Sequence, residues 1–335
     1  MVLLLVATLA GLSRADFNLL PEQLAMSHGA LMVAGFFGTL ISLERAFAMG
    51  NTRAYLVPVL SAAGGVGILA GAQHAASLLV ASAAGYVLLS LRMLRFMPNL
   101  ATGTMCLGAV ALLAGNVLWY LRGSAPATPF WGAFLLLTIA GERIELAQLL
   151  STKAGVKRWF MLSTGIYAAG VATTLLDYSL GLRISGAGML LLALWLLRYD
   201  VAMKSISASG LPRFTGFALV LGYLWLIAGG VLGLAYAGSY SYDMMLHSLF
   251  LGFVFSMVFG HAPVIFPALL GRNMRFLSSF YLHLILLHLS LMLRLAGNFI
   301  SAELTAWGSL LNAASIFLFL ANNAAGMIAG GVKGE

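Results

Sequence analysis

Long apolar runs, each broken by a charge, a proline or a glycine cluster, follow one another from end to end of this chain. They fall at residues 1–20, 26–48, 54–72, 75–91, 99–121, 129–150, 158–177, 184–199, 214–238, 243–270, 277–298 and 303–331. A membrane helix needs ~20 mainly apolar residues to cross the hydrocarbon. The pattern therefore predicts an all-α, polytopic transmembrane helix bundle of about 12 spans, built as a single transmembrane domain over 1–335. The run at 184–199 is short, and the first contains Arg14 and Asp16. That first run, MVLLLVATLAGLSRA, lacks the positive start of a signal peptide and reads as an abbreviated first membrane helix.

Charge orients the scheme. One set of alternate loops holds Arg53, Arg92, Arg95, Lys153, Lys157, Arg158, Arg198, Lys204, Arg213, Arg272, Arg275 and Lys333; the other holds Arg14, Arg122 and Arg183. Cytoplasmic loops carry the excess of Lys and Arg, so both termini are expected in the cytoplasm. A helix missed or invented in mid-chain would invert this alternation downstream, and it does not invert. The composition agrees: 61% of residues are hydrophobic and 8% charged, where a soluble domain has about 25% charged residues. The net charge of +8 would suggest nucleic acid in a soluble protein. Here it resides in basic loops, so the expected surroundings are a lipid bilayer, the bacterial inner (cytoplasmic) membrane, with no nucleic acid. Cys106 is the one cysteine, which excludes an internal disulfide and a cysteine-based metal cluster within the chain.

Ionisable groups within hydrocarbon are expensive, and each needs a partner or a purpose. His28 and His247 begin the second and tenth runs on the outer side. His261 lies fourteen residues beyond His247, ~21 Å deeper and nearly on the same helix face. His283 falls in the inner half of the eleventh run and His288 near its middle. Glu44 ends the second run, and Glu142 and Glu145 share a face of the sixth, with Arg143 beside them. Two depth-matched groups result. The outer one is His28 and His247, with His288 in reach; the inner one is His261, His283, Glu44, Glu142 and Glu145. Histidines facing each other from separate helices hold haem iron. Imidazole also suits copper, and mixed histidine and carboxylate ligands suit non-haem iron or manganese. The bland alternatives stand beside these: Glu44-Arg45 and Glu142-Arg143-Ile144-Glu145 also read as salt bridges clamping two helices. His74 reads as a solvated loop residue, and Asp243, Arg272 and Arg275 as solvated helix ends.

Residues 27–36 run Ser-His-Gly-Ala-Leu-Met-Val-Ala-Gly-Phe; later come Gly222-Tyr223-Leu224-Trp225, then Leu246-His247, then Gly271-Arg272. In this order and spacing the chain resembles the NnrS family, haem- and copper-containing membrane proteins linked to nitric oxide tolerance and denitrification. It departs from that family in having Met26 where a further histidine is usual, and in its acidic 142–145 segment. His28, Gly29 and Met32, with Phe259, Gly260, His261, Val264 and Leu269, are also similar to haem–copper oxidase subunit I. That second resemblance implies haem at His28 and copper at His261, but no adjacent His-His pair follows.

The resemblance implies a haem b protein acting in nitric oxide or related redox stress, with His28, His247 and His288 toward haem. A second site for copper or non-haem iron, or a proton path, would use His261, His283, Glu142, Glu145 and Glu44. Nitric oxide would be the small-gas partner, with electron-donor or membrane subunits as further partners. Two other classes remain open: a proton-coupled transporter or channel, since intramembrane Glu, Arg and His also mark proton pathways, and a haem–copper-oxidase-like gas reductase subunit.

Overall fold

The computed structural model describes residues 1–148, 154–236 and 238–331, and among these every regular element is helical. Lys153 and Lys333 of the basic loop set lie outside the described residues. Among the described residues, ten helices are long and apolar enough to cross a bilayer, and they coincide with ten of the expected runs, from Ala30–Met49 to Ala302–Gly330. The chain is a helical membrane protein.

Two runs differ from expectation. Helix α1 (Val2–Leu12) leads into a π turn, Ser13–Phe17, where Ala15 and Asp16 leave helical geometry. Asp16 and Asn18 both adopt positive φ, and the Ser13 hydroxyl accepts from Leu20 N at 2.9 Å. The polar Ser-Arg-Ala-Asp sequence thus bonds within a turn and ends the apolar helix early. Helix α8 (Ala154–Thr173) forms over 20 residues but is not among the ten; Lys157 and Arg158 lie in its opening turns.

The chain divides into two compact units, Met1–Glu145 with Val171–Gly181, and Leu146–Gly170 with Leu182–Glu335. Their boundaries fall inside continuous helices, which is why no composition break or linker marks them. In the first unit, α2 (Glu22–Met26) precedes a π-helical segment, Ala30–Phe37, that runs into α3 (Gly38–Met49). Then come α4 (Leu56–Leu69), α5 (Ala75–Phe96), α6 (Leu100–Arg122) and α7 (Ser124–Gln148). Asn116 laces three of them: its amide donates to Leu79 O at 2.9 Å, and its oxygen accepts from Trp131 Nε1 at 2.9 Å. In hydrocarbon an unpaired amide or indole N–H would cost several kcal/mol.

The second unit holds most of α8, then α9 (Tyr178–Tyr199), the short α10 (Ala202–Ser205) and α11 (Gly210–Leu234). Helix α12 (Ser239–His247) passes through a second π-helical segment, Ser248–Phe255, into α13 (Ser256–Leu270). Helices α14 (Phe280–Ile300) and α15 (Ala302–Gly330) close the unit as a hairpin. Packing of α9 against α11 depends on small residues, as expected where no hydrophobic drive operates between helices. A Cβ on Gly230 would sit 2.8 Å from Leu190 N and 2.9 Å from Gly186 O. Gly230→Val is therefore expected to force the two backbones apart and destabilise the unit by ~1–3 kcal/mol or more. Thermal unfolding in detergent micelles would show it, and an unchanged midpoint would refute this packing account.

Candidate functional site

A neutral imidazole has one N–H and one lone pair, and the group facing Nδ1 decides which of the two Nε2 presents. The intramembrane histidines separate into two classes on this basis. His28 bonds Ala7 O through Nδ1 at 2.7 Å, and His261 bonds Met257 O at 2.6 Å. His247 Nδ1 meets Asp243 O at 2.8 Å and Asp243 Oδ1 at 3.1 Å. Carbonyl and carboxylate oxygens only accept, so Nδ1 donates in all three and Nε2 carries the lone pair. That is the arrangement metal-ligating histidines show, with the far N–H on a carbonyl or carboxylate.

His283 and His288 have the opposite polarity. Trp225 Nε1 donates to His288 Nδ1 at 2.8 Å, and an indole N–H can only donate. Asn322 Nδ2 lies 2.9 Å from His283 Nδ1. The orientation of that amide follows from Ser279, whose carbonyl accepts from Nδ2 at 3.1 Å while its hydroxyl donates to Oδ1 at 2.8 Å. Both rings therefore accept at Nδ1 and carry their proton on Nε2, which is buried without a hydrogen-bond partner in each case. His283 lies among Phe214, Phe259, Phe280 and Phe319, with ring centroids 4.9–5.8 Å away. As bonded here, neither His283 nor His288 offers a lone pair to a metal. The sequence places His288 toward haem and His283 in a second metal site; their hydrogen bonds set these two rings apart from His28, His247 and His261.

Local structure explains the placement of the first class. His28 and His247 each stand at the entry to a π-helical segment, Ala30–Phe37 and Ser248–Phe255. Such segments are rare and concentrate at functional sites. Each is steadied by a hydroxyl on one of its carbonyls, Ser61 on Ala34 O at 2.8 Å and Ser256 on Gly252 O at 2.5 Å. The His28 ring lies against Gly11, where a Cβ would come within 2.9 Å of Cε1. Gly252 does the corresponding service for Trp225, whose Cγ would lie 2.4 Å from an added Cβ. Only glycine at 252 lets the indole cross the π-helical segment and reach His288.

The carboxylates resolve differently. Glu142 Oε1 lies 2.5 Å from Arg45 Nη2, joining α7 to α3. The Tyr86 hydroxyl also bonds the Arg45 side chain. A cleft beside them, with room for about one water, is lined by Arg45, Tyr86, Ser90, Met93, Thr102 and Met105. It is far too small for a small-molecule site. Glu44 is half-buried and Glu145 exposed. Among the described residues, no three His, Cys, Asp or Glu side chains are grouped to hold a metal ion. Glu142 is held by an arginine, and His283 by an asparagine and four phenylalanines. The salt-bridge alternative describes Glu142.

Sequence reading missed Asp243, taken as a solvated helix end. It pairs with His247 one helical turn on, and with Arg294 Nη2 at 3.2 Å from α14. The i, i+4 spacing of Asp243 and His247 was the available signal. His74 is exposed, and precedes α5.

Fold and site together define a polytopic helical membrane protein carrying histidines of two hydrogen-bonding polarities. The family described as Domain of unknown function (DUF8744) matches residues 1–328, and the chain belongs to that family. No curated protein and no solved structure matches it.

Arg45 and Glu142 are partly buried, 14% and 33% exposed, so losing one partner costs less than the ~3–5 kcal/mol of a fully buried pair. Glu142→Gln is thus expected to lower stability by ~1–3 kcal/mol, and the double variant R45M/E142L to regain most of it. The buried thiol of Cys106 reports unfolding through its reactivity. Equal destabilisation of the single and double variants would remove the clamp.

Proposed function

We propose that the chain is a haem-binding protein of the bacterial cytoplasmic membrane, acting in nitric oxide or related redox stress, with His28 and His247, each within its own unit, as the residues that would ligate haem iron. One observation carries this reading: both histidines enter a buried π-helical segment with Nδ1–H on an oxygen and the lone pair at Nε2. The donor chemistry fits haem iron, which takes neutral imidazole. Haem held by one such histidine would supply an open coordination position for a small apolar gas that partitions into lipid. The protein's part is to fix ring orientation. Ala7 O holds the His28 ring, the bare Gly11 makes room for it, and the Asp243 carbonyl and carboxylate hold that of His247. The loop charge asymmetry supports twelve crossings with both termini cytoplasmic.

Purified protein is expected to show a Soret band. His28→Ala and His247→Ala should each abolish or shift it, and Gly11→Val should act like His28→Ala by displacing the ring. His288→Ala should leave the band in place. A colourless preparation after expression with haem supplied would sink the reading and favour proton-coupled transport, for which the intramembrane Arg45–Glu142 pair is the supporting feature. Cysteines introduced at Lys157 and at Asp177 should label from opposite sides of the membrane; labelling from one side would reject the twelve-span scheme.

A further inference from the structure

The Asp243 side chain stands between two groups of different kinds. On one side its Oδ1 is 3.1 Å from His247 Nδ1. On the other it receives Arg294 Nη2, 3.2 Å to Oδ1 and 3.4 Å to Oδ2. Arg294 is the more buried of the ion pair, 13% exposed against 36% for Asp243. Its other terminal nitrogen, Nη1, donates to the Ser309 hydroxyl on α15. Ser309 in turn donates to Thr305 O at 2.7 Å. The guanidinium is therefore held by α15, the carboxylate by the guanidinium, and the imidazole by the carboxylate.

Resting on the haem reading of His247, we infer that Asp243 and Arg294 are positioning residues that set the donor strength of that ligand, and through it the reduction potential of the iron. A carboxylate at Nδ1–H draws the proton away from the ring and gives it imidazolate character, which strengthens donation from Nε2 and favours ferric iron. Arg294 opposes this by holding part of the carboxylate charge. Asp243 O also accepts from Nδ1 at 2.8 Å, so the Nδ1–H tautomer survives loss of the carboxylate charge. Ring orientation and donor strength are in this way separately held, the first by backbone and the second by the Asp243–Arg294 pair.

The two residues accordingly act in opposite directions. Asp243→Asn removes the anion and raises the potential; Arg294→Gln leaves the anion unshared and lowers it. Through-space charge gives the same two signs, since one variant removes a negative charge and the other a positive one. Arg294→Lys keeps the cation and should stay near wild type, which separates charge from packing.

The experiment is a spectroelectrochemical titration of the haem-loaded, full-length protein and the three variants in micelles. At a fixed ambient potential, the ratio of reduced to oxidised haem should rise roughly tenfold in D243N and fall roughly tenfold in R294Q, the scale on which ligand-orienting partners act. Shifts of the same sign in both variants, or no shift in D243N, would overturn the inference while leaving the haem reading intact. A wild type without haem absorbance removes both at once.

Discussion

The partner at Nδ1 governs what each buried imidazole in this protein can do. Water would let the ring exchange partners and tautomers; within a packed bundle the neighbours are fixed and the polarity is fixed with them. Three rings face oxygen acceptors and present a lone pair, and two face N–H donors and present a proton. The identical side chain is thereby divided into ligand-type and donor-type residues by a single contact each. The depth-based grouping from sequence mixes the two types, since it places His288 beside His28 and His283 beside His261.

The backbone around the ligand-type pair has its own logic. A π-helical segment accommodates an extra residue per turn and loosens the regular carbonyl ladder, which hydrocarbon does not forgive unless another donor arrives. Ser61 from α4 and Ser256 within its own chain segment supply it. Eight consecutive residues, Ala30–Phe37, are buried, so the first π-helical segment is packed on all sides rather than exposed to lipid on one. A distorted helix that is fully packed and hydroxyl-capped is a held geometry.

Much of the fold was legible because lipid imposes a coarse and repetitive constraint. Apolar length alone locates the ten helices of the described residues that are long and apolar enough to cross a bilayer, whereas the first run fails at Ser13–Phe17 because local polar groups bond within a turn, which hydropathy averaging does not register. The clamp at Glu142 was also within reach, since Glu44-Arg45 and Glu142-Arg143 fall in one depth-matched group. The tautomers were not. They depend on Trp225 for His288, 63 positions away, and on Asn322 for His283, 39 positions away, and neither residue carries a charge that would draw attention to it. Asp243 was misread for a related reason. Its place at a helix end suggested water, while its partner Arg294 comes from an element beginning 37 residues later, at Phe280, and no local pattern announces it.

Arg45–Glu142 and Asp243–Arg294 differ in kind. Arg45–Glu142 joins two helices at 2.5 Å, with Tyr86 as its further neighbour. A partly buried pair of that sort adds little net stability while penalising the loss of either member. Asp243–Arg294 is longer, at 3.2 Å, and its carboxylate is shared with an imidazole. Sharing weakens it as a clamp and couples it to whatever the imidazole does at its other nitrogen. A pair evolved only to join α12 to α14 would have no use for His247, because Asp243 and Arg294 already neutralise each other. The histidine one turn away adds a polar ring in a partly buried place for no structural gain, and that mismatch between need and composition is the reason function is sought at His247 rather than at Glu142.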